Sequence, residues 1–258
     1  MGKTYIREKR VLCGTEYMDV DIFPITQRQY KAARARKNNP SRISQSNLNE
    51  KNAKRYFRQK AITNFTRYDY VATLSFDDKY LPKTDDEARR IFKNFVSRVN
   101  YLCKKNGLPP IKYMAVLEHT ERIRYHFHAF ISCGLPLTDI IDCWSAGQGK
   151  TKELLGLLKI EPIVFIEKAI EGLCEYMLKN PVGRRRWTQS KGLKEPKFPR
   201  PADNKYTRRK YERAAKDGDF YDRDYVRKIY PGWECSDATV EYNELMGWTV
   251  YLKMRREL

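Results

Sequence analysis

The sequence predicts an α+β fold with a central, mostly antiparallel sheet and helices packed on one face of it. The order of local patterns is the first observation: strand, helix, hairpin, helix, strand and helix follow one another over residues 70–179. The composition agrees, because 41% of the 258 residues are hydrophobic, with 18 Tyr, 11 Phe and 4 Trp. This is enough apolar surface for a packed core, which argues against a wholly disordered chain.

The first strand and the first long helix of this core have the clearest local signals. Residues 70–76 are rich in β-branched and aromatic types, which favour strands. The helix begins at a capping box, Thr84 with Glu87 three residues later, and stops at Asn106-Gly107. Its apolar side chains recur at helical spacing: Ala88, Ile91, Phe92, Phe95, Val99 and Leu102.

The remaining core elements follow in order. Two strands cover residues 111–117 and 124–132, a short helix covers 137–144, and another strand lies near 157–165. A second long helix covers residues 167–179 and ends before a proline. Its apolar positions keep the helical period: Ile166, Ala169, Ile170, Leu173 and Met177.

The segments that flank the core have weaker signals. Residues 4–25 read as extended, and the basic residues 26–60 predict one or two surface helices, which we expect to form a DNA-gripping arm. Residues 183–218 are basic and rich in Pro and Gly, which predicts a long loop or linker. Near the C-terminus, residues 239–242 and 248–252 can pair as a hairpin.

The charge balance predicts a polyanionic partner. Lys and Arg number 51 against 32 Asp and Glu, a net charge of +19. Aromatic residues stand among the basic ones at Tyr56-Phe57-Arg58, at Arg186-Trp187 and over residues 206–211. Rings that stack on bases beside cations that hold phosphates are typical of single-strand binding. For any one of these clusters, a solvated basic surface explains the pattern equally well.

The cysteines and the N-terminus predict a soluble, cytoplasmic protein. The six cysteines stand at irregular spacings without a C-x-x-C pair, which argues against a zinc ribbon or a disulfide framework. Reduced, mostly packed thiols are the simpler interpretation. No apolar run reaches the length of a membrane span, and the first residues lack the apolar stretch of a secretory signal.

All three histidines of the chain stand in one short segment, and two of them flank a phenylalanine as His126-Phe127-His128. In a strand, residues two apart point to the same face, so both imidazoles project together while Phe127 turns into a core. Neutral imidazoles paired at short range suit a divalent metal ion.

The hairpin register adds a carboxylate to this pair. If the turn is centred near Arg122, residues whose numbers add to about 244 face each other, so Glu118 lies opposite His126. A shift by one pleat places Glu118 opposite His128, and in both registers His119 falls on the other face. Such an N,N,O set with open positions suits Mg²⁺ or Mn²⁺. Two other interpretations stay open: His119 could belong to the ligand set, or the pair could be hydrogen-bonded within the sheet.

The later helix carries a second candidate group. Tyr176 and Lys179 stand three residues apart, so on a helix they are neighbours, and Gly172 lies one turn before Tyr176. A glycine costs helix stability but leaves room for a substrate to approach. A tyrosine is a weak nucleophile, which an adjacent ammonium and a metal-polarised phosphate would activate. Taken alone, the pattern also fits an ordinary surface tyrosine.

Together these segments resemble the HUH endonucleases, and specifically the single-tyrosine rolling-circle replication initiators of phages and plasmids. Residues 73–77 resemble the family's first motif, a core strand that leads into a loop facing DNA. His126-Phe127-His128 matches the His-hydrophobic-His motif, with Glu118 placed as the upstream acidic ligand. Residues 176–179 match Y-x-x-K, and residues 187–193 resemble a stretch of small-phage initiators.

The resemblance implies a ferredoxin/RRM-like (HUH) topology and a nicking reaction. Glu118, His126 and His128 would hold Mg²⁺ or Mn²⁺, which polarises the scissile phosphate of single-stranded or hairpin origin DNA. Tyr176 would attack in line, form a 5′-phosphotyrosine link and release a 3′-OH that primes replication. Lys179 would orient the phosphate or offset developing charge.

The resemblance also implies a domain organisation: a basic N-terminal extension over residues 1–67, the nuclease domain over 68–200, and a C-terminal extension over 201–258 whose hairpin completes the domain. The expected partners are origin DNA, a host helicase and a host polymerase, with the protein a monomer or weak dimer. The chain would not unwind DNA itself, because Trp144 replaces the first glycine that a phosphate loop at Gly147 requires.

Two other classes of protein fit parts of the sequence. A relaxase or transposase of the same superfamily would use the same site. A non-catalytic, sheet-based binder of single-stranded nucleic acid would place stacking aromatics on exposed strands. Here the exposed face of the strand would carry His126 and His128 instead, which favours the metal site.

Overall fold

The structure is a computed structural model that describes residues 4–26, 43–147, 149–164, 169–183, 186–244 and 246–257. Two compact units share the chain: residues 54–194 form one, and residues 1–53 and 195–258 form the other. The boundaries of these two units differ from those of the three segments predicted from the sequence. The functional roles of those three segments remain a prediction.

The secondary structure of the described residues is as follows. The strands are β1 (Thr4–Cys13), β2 (Tyr17–Thr26), β3 (Tyr70–Ser75), β4 (Lys112–Thr120), β5 (Ile123–Ser132), β6 (Ser145–Ala146), β7 (Glu153–Leu154), β8 (Leu158–Pro162), β9 (Thr188–Gln189), β10 (Trp233–Asn243) and β11 (Gly247–Arg256). The α-helices are α1 (Ile43–Asn64), α2 (Asp85–Lys105), α3 (Leu137–Asp142), α4 (Ala169–Met177), α5 (Arg208–Asp217) and α6 (Arg223–Ile229). None of these helices is both long and apolar enough to cross a membrane.

The unit of residues 54–194 is built on a five-stranded sheet in the order β8-β3-β5-β4-β9, and every neighbouring pair in it is antiparallel. The predicted α+β class with an antiparallel sheet is confirmed. Helices lie on both faces of this sheet, where the sequence led us to expect them on one. The reason is that residues 114–118 of β4 and 127–131 of β5 are buried without alternation, so both of their faces need cover.

One face of this sheet packs against α2 and α3. Phe92 of α2 stacks on Phe127 of β5 with ring centroids 4.5 Å apart, and both rings belong to the largest core cluster. The predicted cap of α2 is present, since the Thr84 hydroxyl accepts a hydrogen bond from the Glu87 amide at 3.2 Å. The Glu87 carboxylate accepts from the amide of Lys83 at 2.9 Å.

The other face packs against α4 and the second half of α1. Phe57 is fully buried and lies 6.2 Å from Phe130 and 5.3 Å from Trp187, measured between ring centroids. The predicted surface helix is therefore wrong for this half of α1: its apolar side chains fill a core, and the Phe57 ring is not free to stack on DNA. The predicted DNA-gripping arm falls partly on residues 27–42, outside the described residues.

The second unit is built on a four-stranded antiparallel sheet in the order β1-β2-β11-β10. The predicted C-terminal hairpin is confirmed as β10 and β11, and Gly247 at the start of β11 has a φ of 78°, which suits the end of a tight turn. The predicted loop over residues 183–218 is wrong at its end, because residues 208–217 form α5. Tyr211 holds that helix on the sheet, since its ring is buried and its hydroxyl lies within hydrogen-bonding distance of the carbonyl oxygens of Trp248, at 2.9 Å, and Ile22, at 3.0 Å.

Candidate active site

The register of the β4–β5 hairpin brings the predicted ligands together. Glu118 lies opposite His126, the first of the two registers that the sequence allowed. His128 pairs with Val116 on one side and with Thr73 of β3 on the other. The pairing shifts only beyond Glu118, toward the turn, so the register at the site is regular. All three side chains therefore project from the sheet face that α4 covers.

The polar atoms of these three side chains converge on one point. Glu118 Oε2 lies 3.1 Å from His126 Nε2 and 3.3 Å from His128 Nε2. The two Nε2 atoms are 3.0 Å apart, and one ligand atom from each residue lies within 4.8 Å of the others. Glu118 and His128 are buried, whereas His126 is partly exposed and forms the side of the cluster that is open to solvent.

Neighbouring groups fix the orientation of both imidazoles. His126 Nδ1 lies 2.8 Å from the Arg124 carbonyl oxygen, which only accepts, so the ring donates from Nδ1. His128 Nδ1 lies 3.3 Å from the Thr73 hydroxyl. The Nδ1 proton of His126 leaves its Nε2 lone pair for a cation, and His128 would do the same if its Nδ1 donates to the Thr73 hydroxyl, the usual arrangement of metal-binding histidines.

The environment of His128 favours the neutral form of its ring. Burial lowers the pKa of His128 below 6.5, and the nearby His126 lowers it further, whereas Glu118 opposes the shift. A neutral imidazole is the form that binds a metal ion. The donor set of two imidazoles and one carboxylate therefore fits a divalent cation, and Glu118, His126 and His128 could hold one.

His119 lies on the other face of the hairpin, as predicted. Its ring packs edge-on against Tyr125 with centroids 3.7 Å apart. The Tyr125 hydroxyl donates to Asp85 at 2.8 Å, which ties this face to the start of α2. The interpretation that placed His119 in the ligand set is therefore wrong, because the strand turns its ring away from the cluster.

Tyr176 stands beside this cluster, at the last turn of α4. Its ring centroid lies 5.0 Å from that of His128, and 55% of the residue is exposed. The helix is held in place by Ile170, Cys174 and Met177, which are buried against the sheet. One face of α4 thus anchors the helix, while the adjoining face presents a phenol next to the converging ligand atoms.

Lys179 lies just beyond α4, not on it as the sequence predicted. The helix ends at Met177, and the Lys179 amide donates to the Tyr176 carbonyl at 3.1 Å in the turn that follows. The early end has a local reason, because the chain turns toward β4, where Pro181 pairs with Glu118. Lys179 is exposed in this turn, close to Tyr176 in the chain. An added Cβ at Gly172 would meet nothing within 4 Å, so the space there is open.

Two further residues belong to the site, and the sequence alone predicts no role there for either of them. Thr73 was part of the first motif, but only the β3–β5 register shows that it faces His128. Asn180 donates from its side chain to Glu118 Oε1 at 2.9 Å. The only sequence signal was an amide directly after Lys179, and nothing in the local pattern points it at a strand 62 residues away.

The other motifs of the sequence do not join the site. Trp187 packs on Phe57, and Thr188–Gln189 pairs with β4 as the edge strand β9. Residues 149–151 form a short 3₁₀ turn rather than a phosphate loop.

A comparison with known protein families finds a match to the part of the chain that contains the candidate site. Residues 69–181 match the family model of the replication-associated protein ORF2/G2P, a family of rolling-circle replication initiators. The matched region runs from the start of β3 to the turn after α4, so it contains the candidate ligands and Tyr176. Searches of the curated proteins and of the solved structures found no match.

Proposed function

We propose that this chain is a replication initiator that nicks single-stranded or hairpin origin DNA by attack of Tyr176. One observation carries the proposal: an exposed phenol lies 5.0 Å, ring to ring, from a histidine whose Nε2 converges with a second imidazole and a carboxylate. The match of residues 69–181 to a replication-initiator family supports a DNA substrate. So does the net charge of +19.

In the proposed reaction, the Tyr176 hydroxyl oxygen attacks phosphorus in line with the bond to the 3′ oxygen. That P–O bond breaks, the phenolic proton is lost to solvent or to the leaving oxygen, and the products are a 5′-phosphotyrosine and a free 3′-OH. A Mg²⁺ or Mn²⁺ ion held by Glu118, His126 and His128 would polarise the scissile phosphate. The free 3′-OH then primes DNA synthesis by a host polymerase.

Two features of the chain's own residues favour this chemistry. Lys179 is exposed in the turn directly after Tyr176, where its ammonium could offset charge on the non-bridging phosphate oxygens. The buried Glu118 and His128 form the floor of the cluster, while Tyr176 and His126 lie on its open side. A phosphate can therefore reach the nucleophile from solvent without displacing the core.

The proposal extends to the full cycle. Helix α4 carries one tyrosine, so rejoining the DNA ends would need a second protomer or release of the link by water. A monomer or weak dimer acting with a host helicase, in the cytoplasm of the host cell, is the arrangement that we propose. The 5′ end stays on Tyr176 until that second step.

The test is covalent capture of DNA. The protein is incubated with a 5′-labelled and, separately, a 3′-labelled single-stranded origin oligonucleotide, with Mn²⁺, Mg²⁺ or a chelator. We expect a denaturant-resistant adduct that carries only the 3′ label, because the fragment downstream of the nick stays on the protein. Tyr176→Phe should abolish the adduct and change DNA affinity by no more than about threefold, since one exposed hydrogen bond is lost at most.

Tyr101→Phe is the matched control, because Tyr101 is 68% exposed on α2, away from the ligand cluster. It should leave adduct formation unchanged. An adduct that persists in Tyr176→Phe would show that another residue is the nucleophile. Tight DNA binding without any adduct, whichever metal is supplied, would favour a non-catalytic binding protein.

A further inference from the structure

Asn180 connects the candidate nucleophile's helix to a candidate ligand. Its Nδ2 atom donates to Glu118 Oε1 at 2.9 Å. A carboxylate oxygen accepts only, so the amide must present its NH₂ group to Glu118. The other carboxylate oxygen, Oε2, is the one that lies 3.1 and 3.3 Å from the two Nε2 atoms. The two oxygens of one carboxylate thus have separate partners.

The backbone around Asn180 strengthens this connection. Pro181 and Glu118 form an isolated antiparallel bridge, and the Val182 amide donates to the Leu117 carbonyl at 3.0 Å. Helix α4 ends only three residues before Asn180, at Met177. The end of the helix that carries Tyr176 is therefore joined to β4 at the position of the ligand carboxylate.

We infer that Asn180 is a positioning residue: it holds the Glu118 carboxylate so that Oε2 faces both imidazoles, and it sets the end of α4 against β4. The inference deepens the proposed function and rests on it only for the role of the bound ion in nicking. Glu118 is 5% exposed, so solvent has little access to replace the amide donor. Without that donor, Oε1 would turn toward other partners, and the direction of Oε2 would no longer be fixed.

Metal binding provides the direct test. Mn²⁺ is titrated calorimetrically into chelator-treated full-length wild type, Asn180→Ala and Asn180→Leu. Leu keeps the branched shape and the number of heavy atoms of the Asn side chain but cannot donate a hydrogen bond. We expect both variants to bind Mn²⁺ about 10–100-fold more weakly, the usual effect of removing a partner of a metal ligand.

Asn106→Ala is the matched control, because the Asn106 amide caps the exposed end of α2 by donating to Leu102. It should bind Mn²⁺ as tightly as the wild type. Urea unfolding of each variant checks that it is folded.

A second measurement distinguishes a positioning role of Asn180 from misfolding of the site in the variant. Adduct formation by Asn180→Ala should recover toward the wild-type rate as Mn²⁺ is raised to saturate its weaker site, whereas a misfolded site would not respond. Wild-type Mn²⁺ affinity in both Asn180 variants overturns the inference, and so does normal affinity in Asn180→Leu alone, which would assign the effect to volume. So does a wild-type protein that binds no Mn²⁺. Weakened Mn²⁺ binding in both variants beside a wild type that forms no adduct would retain the inference and refute the nicking function.

Discussion

The ring of Tyr176 lies edge-on to the ring of His128, with centroids 5.0 Å apart, although 48 residues separate them along the chain. The contact joins an exposed residue of α4 to a buried residue of β5. Their proximity depends on the packing of α4, whose buried residues share a core with Val116 and Phe130 of the sheet. A helix surface and a sheet surface thereby form one candidate site.

The two faces of the β4–β5 hairpin allow a matched comparison of histidines. His128→Ala removes one of the three converging ligands, so Mn²⁺ affinity should fall by at least about 100-fold, more than outer partners usually contribute. His119→Ala changes the same residue type on the opposite face, where the ring contacts Tyr125, and should leave the affinity unchanged. Calorimetric titration measures both. Equal losses in the two variants would show that hairpin stability, not ligation, is being measured.

The buried His128 predicts a pH dependence of stability in the metal-free protein. Because burial lowers its pKa below 6.5, the unfolded state binds this proton more readily than the folded state. The contribution of His128 to stability is therefore complete above about pH 6.5 and decreases as the pH falls toward its folded pKa, by at most about 1.4 kcal/mol per pH unit.

Urea unfolding between pH 7.5 and 5.5 measures this effect as the difference between wild type and His128→Gln, which does not titrate. The wild type should lose more stability than the variant over this range. Parallel curves for the two proteins would contradict a lowered pKa.

Gly156 is a position where the structure requires glycine. Its φ is +151°, and an added Cβ would lie 2.6 Å from the Ser75 carbonyl oxygen and 2.8 Å from the Asp77 nitrogen, both backbone atoms. Gly156→Ala should therefore destabilise the unit by about 1–3 kcal/mol and disturb the end of β3.

Gly172→Ala is the counterpart, because a Cβ there meets nothing within 4 Å and the residue is helical. It should stabilise the protein by about 0.5–1 kcal/mol. Thermal or urea unfolding gives the free-energy change of both variants. A change of the same sign in the two would contradict the conclusion that the structure requires glycine at position 156 but not at position 172.

The net charge of +19 predicts that DNA binding weakens steeply with salt. Each neutralised phosphate of a single strand contributes about −0.7 to the slope of log affinity against log salt. We expect a slope of about −3 or steeper, hence more than a tenfold loss between about 50 and 200 mM salt. Fluorescence anisotropy with a labelled oligonucleotide measures the slope. An oligonucleotide with an uncharged backbone is the control, and equal slopes for the two would exclude phosphate contacts as the source.

Much of the core could be predicted from local sequence because its signals are local. The Thr84 cap and the helical spacing of α2 depend on neighbours within a few residues, and both are present. The shared face of Glu118, His126 and His128 followed from a short turn and the period of two in a strand, whereas the structure decides between the two registers and pairs Glu118 with His126. The sequence predicted helices on one face of the sheet, whereas the structure has them on both. Residues 127–131 are buried without alternation, which is typical of a strand covered on both faces.

Two other predictions, of a surface helix around Phe57 and of a linker over residues 208–217, were wrong because the structure of these segments depends on distant partners. Phe57 stands among basic residues and looks like a surface aromatic, but Phe130 and Trp187 enclose it. Residues 208–217 looked like part of a linker because basic side chains dominate them. Their buried positions, Tyr211 and Ala214, find a core only when the four-stranded sheet is present.

By itself, the sequence determined the chemistry that is available: two imidazoles and a carboxylate on one face of a hairpin, and a tyrosine on an amphipathic helix. These follow from strand and helix periods, which are properties of the local backbone. Only the tertiary structure decided that His128 and Tyr176 meet, and that Lys179 and Asn180 lie in the turn after α4. It also assigned Asn180 to Glu118, because that contact depends on how the end of a helix packs on a distant strand.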